Sequence, residues 1–218
     1  MRRFSTGAAA FAVLAAAVTT GFAQAAPEQG DEVLPMVSSS LVVNEVATRG
    51  PQGNLDEFVE IRNLSSQSFE LAGQFEVRIY APDGALLETV DFPAGTQLEP
   101  RGQAGDILVL VHENFAGTIP PNVTQVPLPE ELDIPDLGGV AIYTVPQGNQ
   151  QGQKIDGVAF SNSVPTTRAR EGQAARPMIN LNLDPLLRVA SARDVLSTDT
   201  DNNRVDFDLH TATPGTLN

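Results

Sequence analysis

The stretch from Ser40 to Gly73, SLVVNEVATRGPQGNLDEFVEIRNLSSQSFELAG, constrains this chain more than any other. It holds two β-strand patterns, Leu41 to Val46 and Glu57 to Asn63, joined by a loop with Gly50, Pro51, Gly53 and Asn54, where reversal costs little strain. In the first strand Leu41, Val43 and Glu45 alternate with Val42, Asn44 and Val46, so both faces are partly apolar, as in a strand of a sandwich. In the second, Val59 and Ile61 share one face and Phe58, Glu60 and Arg62 the other, which offers Glu60 and Arg62 for cross-strand charge pairing.

Further strands build onto this pair. Phe75 to Tyr80 and Ala85 to Phe92 flank Pro82-Asp83-Gly84, a hairpin whose proline presets the first corner and whose glycine tolerates positive φ. Ile107 to Val111 is a continuous apolar run of strand length, expected to be buried on both sides in the middle of the fold. The proline-rich segment Glu113 to Leu137 is expected to be a surface connection without a ladder. Gly139 to Val145 and Ile155 to Phe160 form a second hairpin. The best helical pattern is Asp184 to Arg193, and Arg204 to His210 alternates like a strand, with Val205, Phe207 and Leu209 on one face. The expected core is Val43, Val59, Ile61, Val77, Ile79, Val90, Leu108, Leu110, Val140, Ile142, Val158 and Phe160.

The N-terminus bears on where the chain works. Met1-Arg2-Arg3, an apolar run from Ala8 to Phe22 and the small-x-small site Ala23-Gln24-Ala25 mark residues 1–25 as a removed signal peptide, with the mature chain starting at Ala26. The run is shorter than the roughly 20 residues of a membrane span, so no transmembrane anchor is expected in the mature chain. Residues 26–38 read as an acidic, aperiodic leader, 39–162 as the sandwich, and 163–218 as a C-terminal extension docking on it. The chain has no cysteine, so an exported fold of this length relies on its core and not on disulfides, and lipid acylation of a cysteine is excluded. The formal charge of −14 becomes −16 once Arg2 and Arg3 leave with the signal peptide. Such a surface repels phosphate backbones and argues against nucleic acid as a partner.

The wording of the first strands, with Asn-Glu-Val at 44–46, Glu-Phe-Val-Glu-Ile-Arg-Asn at 57–63 and Leu-Ala-Gly at 71–73, resembles the start of the lamin tail domain. The run Asp156-Gly157-Val158-Ala159-Phe160 resembles the end of that domain's hairpin. Thr198-Asp199-Thr200-Asp201-Asn202-Asn203, Asp206-Phe207 and Thr213-Pro214-Gly215 resemble the closing signature of exported bacterial lamin-tail-like proteins. The resemblance covers roughly residues 40–218 and departs from the family where a tryptophan often follows Leu-x-Gly, a place Phe75 takes here. It implies an all-β, immunoglobulin-like β-sandwich, secreted outside the cell, with a structural or protein-binding role and a protein or cell-envelope component as partner.

Four oxygen-bearing residues, Asp199, Asp201, Asn203 and Asp206, are spaced so that their side chains can converge on one Ca²⁺. They also fit an acidic turn whose side chains bond their own backbone. The loop lacks the central glycine of an EF-hand, and His210 stands where its bidentate glutamate would be. Asp56, Glu57 and Glu60 with Asn44 and Glu45 suggest the paired carboxylates of a glycosidase, but are expected to be solvated or paired with Arg62 or Arg78. His112 and His210 have no metal-ligand spacing, and no Gly-x-Ser-x-Gly elbow or phosphate-cradling loop is present. The expectation is therefore a chain without catalytic residues. A calcium-dependent carbohydrate-binding module or small exported hydrolase is the alternative, weakened by the absence of tryptophan and by having only Tyr80 and Tyr143, both inside strand patterns.

Overall fold

In a computed structural model, residues 40–161, 168–178 and 188–218 are described; the expected signal peptide and acidic leader lie outside them. Among these residues twelve strands and two helical turns follow in chain order: β1 Leu41–Ala47, a 3-10 turn Gly53–Asp56, β2 Phe58–Asn63, β3 Phe69–Glu70, β4 Phe75–Tyr80, β5 Leu86–Asp91, β6 Gln97–Leu98, β7 Ile107–Val111, β8 Thr124–Pro127, β9 Gly139–Thr144, β10 Lys154–Ala159, β11 Val189–Ala192, α1 Asn203–Asp206 and β12 Asp208–Thr211. The larger sheet runs β12-β11-β1-β2-β7-β8, the smaller β10-β9-β4-β5, and β3 pairs with β6 in a short ribbon. One apolar core, drawn from both large sheets, contains all twelve expected core residues. Both expected hairpins and the β1–β2 pairing form antiparallel. In the Pro82-Asp83-Gly84 turn, Ala81 N–H donates to the Ala85 carbonyl at 2.8 Å, and Gly84 adopts a φ of 86°.

The alternation in β1 breaks once. The register passes from Val43 opposite Ile61 to Glu45 opposite Glu60, leaving Asn44 as an extra residue in a β-bulge. The bulge shifts the phase, so Leu41, Val43 and Val46 all reach the core while Glu45 turns to the outer face. Simple alternation had put Glu45 with Leu41 and Val43. On the outer face of the larger sheet a second apolar cluster, Ala47, Phe58, Val109, Val111 and Ala190, is covered by Phe115, Ile119, Val123 and Ala212. Both faces of that sheet are thus buried, and β7 is fully buried between β2 and β8. Truncating Leu110, which has no exposed surface, to Ala is expected to cost about 2–5 kcal/mol in urea unfolding, through lost transfer energy and a residual cavity.

Three local expectations are corrected. The connection from Glu113 to Leu137 does hold a ladder: β8 pairs in parallel with β7 and puts Val126 in the core. Pro127 is tolerated because β8 is a four-residue edge strand that needs no further N–H on its outer side. Within the helical pattern Asp184 to Arg193, the described part is strand β11, since pairing with β1 and β12 outweighs a weak local preference. The expected strand Arg204 to His210 opens instead with α1. The Asn202 side chain accepts from Arg204 N–H as its N-cap, and strand pairing starts only at Asp208. The segment after 163 supplies β11 and β12 to the larger sheet. Among the described residues no helix is long and apolar enough to cross a membrane.

Candidate functional site

Just beyond β11 the chain buries a guanidinium completely. Arg193 is without exposed surface, and its charge is met by Asp156 of β10 at 2.9 Å, Asp199 at 3.4 Å and Asp206 at 3.3 Å. Its Nε donates to the Val43 carbonyl at 3.0 Å and Nη1 to the Thr198 carbonyl at 2.7 Å, while the Phe207 ring lies 4.5 Å from the guanidinium carbon. A planar, always charged fork suits such a position, because it satisfies several acceptors at once. Burial works against the charge on Arg193, but Asp156, Asp199, Asp206 and Glu171 outweigh it and hold its pKa above the ordinary value. For Asp156 burial dominates and raises the carboxyl pKa despite Arg193 and a 2.6 Å hydrogen bond from Val43 N–H. Glu171 is raised as well, first by burial and then by the neighbouring Asp156, although Lys154 stands 3.0 Å away.

The four residues expected to bind calcium are brought to this corner of the domain, with different tasks. Asn203 is fully buried and bonds backbone only: Oδ1 accepts from Ala159 N–H at 3.1 Å and Glu171 N–H at 3.0 Å, and Nδ2 donates to the Gly157 carbonyl at 2.8 Å. Asp206 accepts from Thr200 N–H and hydroxyl at 2.9 and 2.6 Å and from Asn202 N–H at 3.3 Å. Asp201 sits at a φ of 53°, with its N–H donating to Asp199 at 3.1 Å and its Oδ2 buried without a hydrogen-bond partner. The carboxylate oxygens that lie mutually close belong instead to Asp156, Glu171 and Asp199. Asp156 was read from sequence only as the first residue of the strand motif Asp156-Gly157-Val158-Ala159-Phe160 and not as a ligand, and Glu171 carried no signal.

A second buried group sits on the outer face of the larger sheet. Glu45 and Glu60, directly opposite each other on β1 and β2, are fully buried together with Asn44. The expectation that these two acids are solvated or paired with Arg62 or Arg78 is therefore corrected, while Asp56 of the same group does meet an arginine, Arg188 at 3.0 Å. Arg62 turns to Asp106 and Ser197, Arg78 to Glu76, and the glutamates take donors from the end of the chain. Thr213 N–H and Asn218 Nδ2 donate to Glu45 at 2.9 and 3.2 Å, Gly215 N–H donates to Glu60 at 2.7 Å, and Asn44 Nδ2 to Glu60 at 2.7 Å. Burial and then Glu45 push Glu60 up to about 8. Glu57, with His112 Nε2 at 3.6 Å and a 3.0 Å bond from Ile134 N–H, is pushed up to about 9, chiefly by burial. Burial lowers His112, so near neutral pH this pair is uncharged. Asn63-Leu64-Ser65 and Asn122-Val123-Thr124 both fit the glycosylation sequon; Asn63 is buried and donates to the Gln67 and Glu99 carbonyls, whereas Asn122 is exposed. No family model matches the chain, and no curated protein does.

Proposed function

We propose that this chain is an exported, non-catalytic β-sandwich of the immunoglobulin-like, lamin-tail type, with a structural or protein-interaction role at the cell surface or outside the cell. The observation that carries the reading is the edge of the smaller sheet. Among the described residues β5 pairs on one side only, with β4, and Leu86 and Leu87 at its start are 51% and 47% exposed. Thr89 N–H donates to the neighbouring Glu88 carboxylate at 3.0 Å. The opposite edge, β10, is covered: Ala175 N–H donates to the Ala159 carbonyl at 2.8 Å and Asn203 to that of Gly157. An open ladder of six residues is what an extended segment of a partner adds to. Export is supported by the basic start, the apolar run and Ala23-Gln24-Ala25. The lamin-tail type is supported by the order of motifs along the chain.

The test has two arms. N-terminal sequencing of protein recovered outside the cytoplasm should begin at Ala26. Purified protein should show slowed amide exchange along β5 in the presence of isolated cell-envelope material, and no turnover of polysaccharides, nucleic acids or phosphoesters. Turnover abolished by a single carboxylate substitution would overturn the non-catalytic reading, and unchanged exchange along β5 would overturn the docking edge.

A further inference from the structure

Asp156 on β10, Glu171 and Asp199 come from three separate parts of the chain, yet each offers an oxygen within 4.8 Å of the others'. Two oxygens bound to one Ca²⁺ at its ordinary distance of about 2.3–2.6 Å can be no more than roughly 5 Å apart, so a single ion can reach all three. Clusters of acids are common without an ion, and two further observations set this one apart. Glu171 is only 6% exposed, and while one of its oxygens meets Lys154, the other, Oε2, is buried without a hydrogen-bond partner. Asp201 adds a second buried carboxylate oxygen without a partner, in the field of Asp199. Five acidic groups, Asp156, Glu171, Asp199, Asp201 and Asp206, here meet two basic ones, Arg193 and Lys154. A buried carboxyl oxygen without a partner is costly, and a bound cation satisfies it.

We propose that Asp156, Glu171 and Asp199, with Asp201 beside them, form a divalent-cation site selective for Ca²⁺, which ties the 168–178 loop and the 198–203 loop to β10. The three carboxylates supply part of the roughly six to eight oxygens that calcium accepts in irregular arrangements, whereas Mg²⁺ requires near-octahedral ligands at about 2.1 Å. Arg193 holds its own contacts to Asp156 and Asp199, so these side chains are already positioned before the ion arrives.

Calcium chloride titrated calorimetrically into chelator-treated, full-length protein tests the site. One ion per chain and a rise in the thermal unfolding midpoint with Ca²⁺ but little with Mg²⁺ are expected. Glu171→Gln should keep the β-sheet circular dichroism and weaken calcium binding on the order of tenfold or more, because such affinities follow the charge of the ligand set. Should Glu171→Gln fail to fold, Asp199→Asn carries the same comparison. Absence of heat and of any midpoint shift in the unsubstituted protein would overturn the site. Undiminished binding in the variant would place the ion elsewhere and overturn it equally.

Discussion

Replacing Arg193 by Met is expected to lower stability by about 3–5 kcal/mol, because it leaves buried carboxylates without their counter-charge. The methionine chain fills much of the same space and keeps contact with Phe207, so the loss is electrostatic more than steric. Asp156 has no exposed surface and cannot recover water without opening β10 from the sheet. It would neutralise by taking up a proton, and the remaining hydrogen-bond acceptors, including the Val43 carbonyl, would lack their donor. Urea unfolding measures the effect. A double variant with Asp156→Asn should regain part of the loss, since the two residues are coupled through direct contact. A change below about 0.5 kcal/mol, the scale of surface substitutions, would mean that the guanidinium is solvated and the corner is open.

The second large effect is on pH. Glu60 in the folded chain holds its proton up to about pH 8, against an ordinary value of 4.5, so between those limits the folded state binds a proton that the unfolded chain releases. Stability from this group is therefore complete below about 4.5 and is lost as pH rises through 8. Glu57 acts in the same direction up to about 9. Stability is expected to fall steadily from mildly acidic to mildly alkaline pH, by a total on the order of a few kcal/mol, read as a falling unfolding midpoint. Glu60→Gln should flatten much of that slope and leave the variant more stable than the parent above pH 8. The Asn44 Oδ1 atom, buried without a partner, can accept from the new amide once the Asn44 side-chain amide turns over, which preserves the contact. Parallel pH profiles for parent and variant, measured by thermal unfolding, would refute the assignment.

How far the sequence could be read depended on whether neighbours or distant contacts decided each element. Leu108, Leu110, Val77 and Ile79 lie in strands whose apolar pattern is strong enough to stand alone, and their burial was legible. So was the Pro82-Asp83-Gly84 turn, where local chemistry settles the conformation. β8 and β11 were not legible, because four residues apiece carry too little periodicity and only their partners β7 and β1 make them strands. The burial of Glu45 and Glu60 was hidden for a different reason. Nothing in a strand pattern shows that donors from Thr213 and Gly215, more than 150 positions later, will cover it. In the candidate site, the tail loop was visible as spaced acids, but nothing there showed that Asn203 bonds only backbone groups or that Asp206 also meets Arg193. Asp156 and Glu171 enter only through the tertiary structure.

The closing of the larger sheet by the end of the chain sets the order of events in folding. β1 bonds to β11, and the buried glutamates of β1 and β2 find their donors only in Thr213, Gly215 and Asn218. Contacts spanning so much of the sequence form late, since the loop-closure entropy must be met before they contribute. The opening strands therefore hold two acids without these donors until Thr213, Gly215 and Asn218 have joined the sheet. That delay leaves the first strands of the chain among the last to be completed.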